Sequence, residues 1–299
     1  MKLLFASDLD QTLIYSRNSM GENITEIDLV EVERINGKPQ SYMTKKSQKA
    51  LWELGTSAFF LPVTTRTQEQ YERVTGIFEN PVAPRFAVIS NGAVILEDGE
   101  PVKEWSEEIR EQCVSRKTVI EELLPLIERY FSEEWVLNIK QADGWFVYLI
   151  IDRTQFPEEK LEFYARLFRE IGWAMSLQGR KLYFMPESIT KARAMEYVKQ
   201  RLNADYVMAA GDSLLDLDLL ESADKGFLAV HGEAVKSKAA FSAHIQITER
   251  SGIEAGEEIL AHVAETALQH RLSRRSTHGS TASGSRENVG SGKNRGMAE

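Results

Sequence analysis

Three observations predict an α/β fold: a mainly parallel sheet with a smaller α+β unit inserted into it. Short apolar runs alternate with amphipathic segments in a strand-helix rhythm. Several of those runs end directly in acidic or polar clusters, the position where ligands collect at the carboxyl edge of an α/β sheet. Between about residues 98 and 186 the rhythm changes to helix, two strands, helix, two strands, which is a complete unit in itself.

The first run, Leu3-Leu4-Phe5-Ala6, is followed by Ser7-Asp8-Leu9-Asp10-Gln11-Thr12, two carboxylates directly behind a buried strand. A long polar connection then carries a strand-like alternation from Ile24 to Val32, the turn dipeptide Asn36-Gly37 and a second strand from Pro39 to Met43. This predicts a β-hairpin flap near residues 16–43. Thr44 is placed to cap the next helix, whose inner face is Ala50, Leu51 and Leu54. Ala58 to Val63 ends in Thr64-Thr65-Arg66-Thr67, and Phe86 to Ile89 leads into Ser90-Asn91-Gly92.

In the predicted insert, Ile109, Cys113, Ile120, Leu123, Ile127 and Phe131 recur at helical spacing, with Pro125 expected to kink or divide the helix. Asp143-Gly144 is the turn of a hairpin between Trp135–Lys140 and Trp145–Ile151. A helix carrying Leu161, Tyr164, Phe168 and Ile171 follows, then strands at Trp173–Leu177 and Lys181–Met185. The βα rhythm resumes with a helix from Lys191 and the strand Tyr206–Ala210, which ends in Gly211-Asp212-Ser213-Leu214-Leu215-Asp216. An amphipathic helix from Ile253 to Leu268 closes the pattern, and residues 270–299, rich in Ser, Gly and Arg, read as a disordered basic tail. The expected boundaries are 1–97 and 187–269 for the two parts of the core and 98–186 for the insert.

Composition narrows the function. With 299 residues, 42% hydrophobic and 27% charged, the chain can bury a large core. Its net charge of −9 disfavours a nucleic-acid backbone as partner. The tail from residue 270 has six Lys/Arg against two Asp/Glu, which leaves −13 on the body. One cysteine, Cys113, excludes an internal disulfide and a cysteine zinc cluster. No apolar stretch reaches membrane-spanning length, and the N-terminal run reads as a strand, not a signal peptide. The expectation is a cytoplasmic protein with no membrane or nucleic-acid partner; the composition does not set the oligomeric state.

Taken singly, the polar clusters read as turns and helix caps. Their order is more informative: Asp8-x-Asp10-x-Thr12, then Thr64, then Lys191, then Gly211-Asp212-x-x-x-Asp216, over residues 1–268. This resembles the haloacid dehalogenase (HAD) superfamily. The insert between the second and third clusters is similar to that of subclass IIB, which contains Cof-type sugar phosphatases and sucrose-phosphate phosphatases. The resemblance implies a Rossmann-like HAD core, an α+β cap, and Mg2+-dependent hydrolysis of a small phosphomonoester such as a sugar phosphate. Asp8 would be the nucleophile that forms an aspartyl-phosphate, and Asp10 the proton-carrying acid and base. Thr64 and Lys191 would bind the phosphoryl group. Four converging carboxylates would repel one another without a cation, and Mg2+ held by Asp8, the Asp10 carbonyl and Asp212, with Asp216 nearby, resolves this.

Two positions depart from relatives: Thr65 stands where many have Gly, and Leu215 where Cof-type members commonly have Asn. Thr65, Arg66, Asn91, Lys140, Arg180 and Lys181 are the expected further phosphate and leaving-group contacts, while His231 and His244 read as structural. Two other functions fit the same residues: a phosphomutase, or a low-turnover sensor or scaffold that binds a partner through cap and tail.

Overall fold

The structure, a computed structural model, describes residues 2–22, 24–77, 83–131, 134–238 and 240–279, with side chains to 272. Strand β1 (Leu3–Ser7) is buried along its whole length, as a strand covered on both faces must be. The flap follows as β2 (Leu29–Ile35) and β3 (Lys38–Thr44). Asn36 and Gly37 both have positive φ, 50° and 75°, which gives the type I′ turn expected of that dipeptide. The first flap strand begins at Leu29, later than the alternation from Ile24 suggests, because Glu26–Asp28 forms a 3₁₀ turn instead.

Thr44 caps α1 (Lys45–Gly55) by accepting a hydrogen bond from Ser47 N. Then come β4 (Ala58–Pro62), α2 (Gln68–Glu72), β5 (Phe86–Ile89), β6 (Val94–Glu97), β7 (Glu100–Pro101) and α3 (Lys103–Ser115). The cap contains α4 (Ile120–Tyr130), β8 (Val136–Ala142), β9 (Phe146–Ile151), α5 (Leu161–Arg169), β10 (Trp173–Gln178) and β11 (Lys181–Pro186). The core resumes with α6 (Lys191–Leu202), β12 (Tyr206–Gly211), α7 (Leu217–Glu221), β13 (Lys225–Leu228), α8 (Glu233–Lys236), β14 (Ile245–Ile247) and α9 (Ile253–Gly279).

The central sheet runs β14-β13-β12-β1-β4 with every pairing parallel. Its register sets Ser7 beside Ala210 on one side and Pro62 on the other, so the chain leaves β1, β4 and β12 at the same edge. That alignment delivers Asp8, Thr64 and Asp212 to one place. The cap sheet is antiparallel, in the order β10-β11-β9-β8. One of its faces packs with α4 and α5 in a separate apolar cluster that includes Phe131, Leu149, Phe168 and Phe184.

Two features differ from the sequence reading. The helical segment of the insert is divided at residues 116–119, where Lys117 takes a φ of 56°, while Pro125 lies inside α4. Trp105, Ile109 and Cys113 of α3 belong to the main core, whereas the cap cluster starts at Ile120. By packing, α3 therefore goes with the core although it lies within 98–186. In addition, α9 continues to Gly279, ten residues into the stretch expected to be disordered, and the rest of that tail lies outside the described residues. Among the described residues no helix is long and apolar enough to cross a membrane.

Phe168 is fully buried, with its ring 4.9 Å from Phe184 and 5.6 Å from Phe131. Phe168→Ala is expected to lower stability by about 3–5 kcal/mol in urea denaturation. A loss below about 1 kcal/mol would show that this cluster does not hold the cap together.

Candidate active site

Asp8 follows β1, and its backbone N–H donates to the Ala210 carbonyl at 2.9 Å, which ties it to the neighbouring strand. Lys191 is the first residue of α6, a helix capped by the Thr190 hydroxyl. That helix start can approach because residue 92 is glycine: at its φ of 104°, a Cβ would lie 2.3 Å from the Thr190 carbonyl oxygen. The Lys191 ammonium donates to Asp8 Oδ1 at 2.7 Å and to Asp216 Oδ1 at 2.5 Å. The other oxygen of Asp216 accepts from Asp212 N, Ser213 N and Ser213 Oγ, so this carboxylate is held on both sides. Asp8, Asp212 and Asp216 each bring a carboxylate oxygen within 4.8 Å of the others, and all three residues are buried.

Three carboxylates and one ammonium in a dry site leave a deficit of positive charge. Burial is the main cause that pushes the Asp8 carboxyl up to about 7; Lys191 opposes it, and the Asp216 and Asp10 charges add to it. The Asp212 carboxyl is raised well above the ordinary value, first by burial and then by Asp216 and Asp8. Burial works against the Lys191 ammonium, but the charges of Asp216 and Asp8 outweigh it and raise its pKa.

Thr64 is buried behind this group. Its hydroxyl accepts from Arg66 N at 3.2 Å, and its carbonyl accepts from Asn91 N at 2.9 Å. Asn91 is buried too, at a φ of 58°, and its side-chain oxygen has no hydrogen-bond partner among the described residues.

The Asp10 side chain goes elsewhere. Arg66 grips it with two hydrogen bonds, Nε to Oδ2 at 2.7 Å and Nη2 to Oδ1 at 2.8 Å. The rest of that guanidinium donates to both oxygens of Glu33 and to the Gln70 carbonyl. All five N–H groups of Arg66 are thus engaged within the protein, and in this arrangement it has none left for a leaving group. Asp10, whose backbone carbonyl is the expected metal ligand and whose carboxyl is the expected proton carrier, presents an ion-paired carboxylate outside the acidic triad.

Glu33 was not expected from the sequence. It sits in a strand whose register shifts on both sides of it, so Val32 and Glu33 are buried in succession rather than alternating. Burial works against its charge, yet hydrogen bonds from Arg66 and Ser41 hold its carboxyl below the ordinary value. Arg73, also unanticipated, adds a longer contact at 3.4 Å. Nothing in the local pattern marks Glu33, because the signal is a bulge that only pairing with β3 creates.

Above Asp10 the flap, core and cap enclose a cavity of about 250 Å³. Lys181 and Tyr183 reach it from β11, Phe146 and Tyr148 from β9, and Thr65 from the core beside the Tyr183 hydroxyl. Lys140 is exposed on β8 opposite Tyr148 and does not line the cavity. Arg180 sits in the exposed β10–β11 turn, within electrostatic range of Asp152 and away from the cleft. A larger cavity, about 360 Å³, lies by the α3–α4 connection and contains none of the triad. The cap rests on the core through Asp143 at its hairpin turn, which accepts from Ser90 Oγ at 2.6 Å and Gln68 N at 3.2 Å. His231 and His244 bond backbone groups, as structural histidines do.

A capped parallel sheet with an acidic triad and a lysine at its carboxyl edge is the arrangement that the resemblance to haloacid dehalogenase-like hydrolases implies. The sequence model of the family described as haloacid dehalogenase-like hydrolase matches residues 138–254 of the chain. The fold is similar to that of the sucrose-phosphatase of Synechocystis sp., solved with sucrose and phosphate, at a TM-score of 0.62 and 17% identity, covering 88% of this chain and 98% of that one. A trehalose-6-phosphate phosphatase related protein matches at a TM-score of 0.50 and 15% identity, covering 89% and 99%. A phosphatase of this superfamily from Bacteroides thetaiotaomicron matches at 0.50 and 14%, covering 90% and 95%. No curated protein matches the sequence significantly.

Removing the Glu33 carboxylate takes one of two carboxylate partners from Arg66, which is largely buried, and from Arg73. Glu33→Ala is expected to cost about 3 kcal/mol in urea denaturation, and Glu33→Gln, which keeps an acceptor, clearly less. Equal losses would mean that the charge network contributes nothing beyond packing.

Proposed function

We propose that this hydrolase cleaves a small phosphomonoester, a sugar phosphate or related metabolite, through a phosphoryl group carried transiently on Asp8. The observation that carries this reading is the buried meeting of Asp8 with Lys191, Asp212 and Asp216 at the carboxyl edge of the central sheet. The three phosphatase structures with the same fold support it.

A phosphate monoester repels an attacking anion, so the site has to neutralise charge and align the reactants. An Asp8 oxygen attacks phosphorus while the bond to the leaving oxygen breaks. That oxygen takes a proton from the Asp10 carboxyl. Water then attacks the phosphorylated Asp8, passes a proton back to Asp10, and releases inorganic phosphate with Asp8 restored. Lys191 holds Asp8 in line from one side, and the Thr64 hydroxyl is placed to donate to a phosphoryl oxygen. For its part in these steps, Asp10 has to exchange the Arg66 contact for one with the leaving oxygen.

The donor set fits Mg2+. Asp8 Oδ2 and both Asp212 oxygens accept no hydrogen bond from any described residue, and they are hard, buried anionic donors. These two residues would hold the ion with the Asp10 carbonyl; Asp216, whose oxygens are already occupied, orients Lys191 and the Asp212 backbone. When bound, Mg2+ supplies positive charge that offsets the carboxylates and the phosphoryl oxygens. The cap covers the cleft and excludes bulk water from Asp8.

Asp8→Asn is expected to abolish phosphate release from a metabolite panel in Mg2+, and retained turnover would overturn the reading. Chelation should likewise stop turnover, and Mg2+ should restore it. The Asp8 pKa is raised on folding, so the stability it lends the metal-free protein is present below 3.8 and lost as pH rises through about 7. A cation needs the ionised form, so the increase in Tm on adding Mg2+ should grow across this window. An increase that does not vary with pH, or none at all, would place the cation elsewhere.

A further inference from the structure

The cleft contains one cation that the protein leaves unmatched. Arg66 is paired with Asp10 and Glu33, and Arg73 with Glu33 and Glu69. The Lys181 ammonium has no carboxylate or hydrogen-bond acceptor among the described residues; its nearest recorded partner is the Tyr148 ring, 5.4 Å from the ammonium to the centroid. Burial is the main cause that lowers its pKa, the Arg66 and Lys140 charges push the same way, and Asp10 opposes them.

Its surroundings suit a ligand. Lys181 pairs in register with Gln178 and Ile150, and Tyr183 with Ser176 and Tyr148, so these side chains share the face of the cap sheet that closes over Asp10. On that face the Gln178 side-chain nitrogen and the Ser176 hydroxyl are buried without a hydrogen-bond partner among the described residues, although neither residue lines the cavity. Lys181 is exposed to the cleft, so its ammonium is accessible to a ligand, and a charge-assisted contact with an anion is available there. Asp10, two residues beyond Asp8, lines the core side of this cavity, and Lys181 stands on its cap side.

We propose that the leaving group of the substrate carries a second anionic group, a carboxylate or a phosphate, and that Lys181 binds it. This makes Lys181 a specificity-determining residue, and it rests on the phosphatase reading above. An aromatic wall of Phe146, Tyr148 and Tyr183 completes the subsite and suits the carbon frame between the two anions.

The test measures kcat/KM of the full chain in Mg2+ on matched pairs: 6-phosphogluconate against glucose 6-phosphate for a carboxylate, and fructose 1,6-bisphosphate against fructose 6-phosphate for a phosphate, with p-nitrophenyl phosphate as a general substrate. The doubly anionic member of at least one pair should be preferred by about tenfold or more, mainly through KM. The pair that shows the preference identifies the anion. Lys181→Met should bring the ratio close to one by raising KM for that member, and Lys181→Arg should retain most of it. A ratio at or below one in both pairs, or a preference that survives Lys181→Met, overturns the inference. If p-nitrophenyl phosphate is hydrolysed and neither pair discriminates, this inference alone fails. If nothing is hydrolysed, the phosphatase reading fails and takes the inference with it.

Discussion

A lysine ammonium at 1% exposure survives in a protein interior only if its lost hydration is replaced, and here Asp8 and Asp216 replace it at 2.7 and 2.5 Å. Much of the architecture follows from that contact. It joins the end of β1, the start of α6 and the loop after β12, three segments far apart in the chain. Helix α6 can reach the site because Gly92 has no side chain to meet its first turn. Asp216 can grip Lys191 because backbone and hydroxyl groups of Asp212 and Ser213 fix its other oxygen. The lysine balances part of the negative charge and leaves Asp8 and Asp212 with raised pKa values, a group that lacks positive charge. The divalent cation proposed above would complete that balance, and the electrostatics and the proposed chemistry therefore point to the same atoms.

A second charge network lies a few residues away and has a different purpose. Arg66 divides its five donors among Asp10, Glu33 and Gln70, and so links the loop after β4 to the first carboxylate loop and to the flap. Through it, the flap hairpin helps to set where the second carboxylate points. Arg66 serves as a bridge in this arrangement instead of a leaving-group contact. The flap is correspondingly anchored, with bridges from Tyr42 to Tyr15 and from Glu33 to Val74.

The cap has its own apolar cluster and meets the core through both polar and apolar contacts: Trp145 packs on the main core, and Leu215 of the core packs on Phe146, Tyr183 and Met185. Asp143 at the tip of its hairpin touches Ser90 and Gln68, next to the loops that carry Asn91 and Arg66. A domain with its own core and a small seat can move as a unit. The divergence from solved relatives, with identities of 14–17%, falls on a fold that is retained over most of the chain. The substrate-facing side of the cap is therefore where this chain's own chemistry has to be read.

The sequence by itself determined the α/β class, the inserted cap and the order of the polar clusters, because strand ends, helix caps and turn dipeptides are local signals with a period. It marked Asp8, Lys191, Asp212 and Asp216 because each follows a strand or opens a helix. The register of the sheet then brought them within hydrogen-bonding range. The division of the long helical pattern at 116–119 and the extension of α9 to Gly279 were not legible, since packing and backbone conformation overrode Pro125 and the polar composition of the tail. Only the tertiary structure decided that Glu33 faces inward, that Arg66 is saturated and that Lys181 meets no carboxylate among the described residues. Those outcomes depend on a bulge formed against another strand and on which charges meet across domains, and neither is encoded in the periodicity of any one segment.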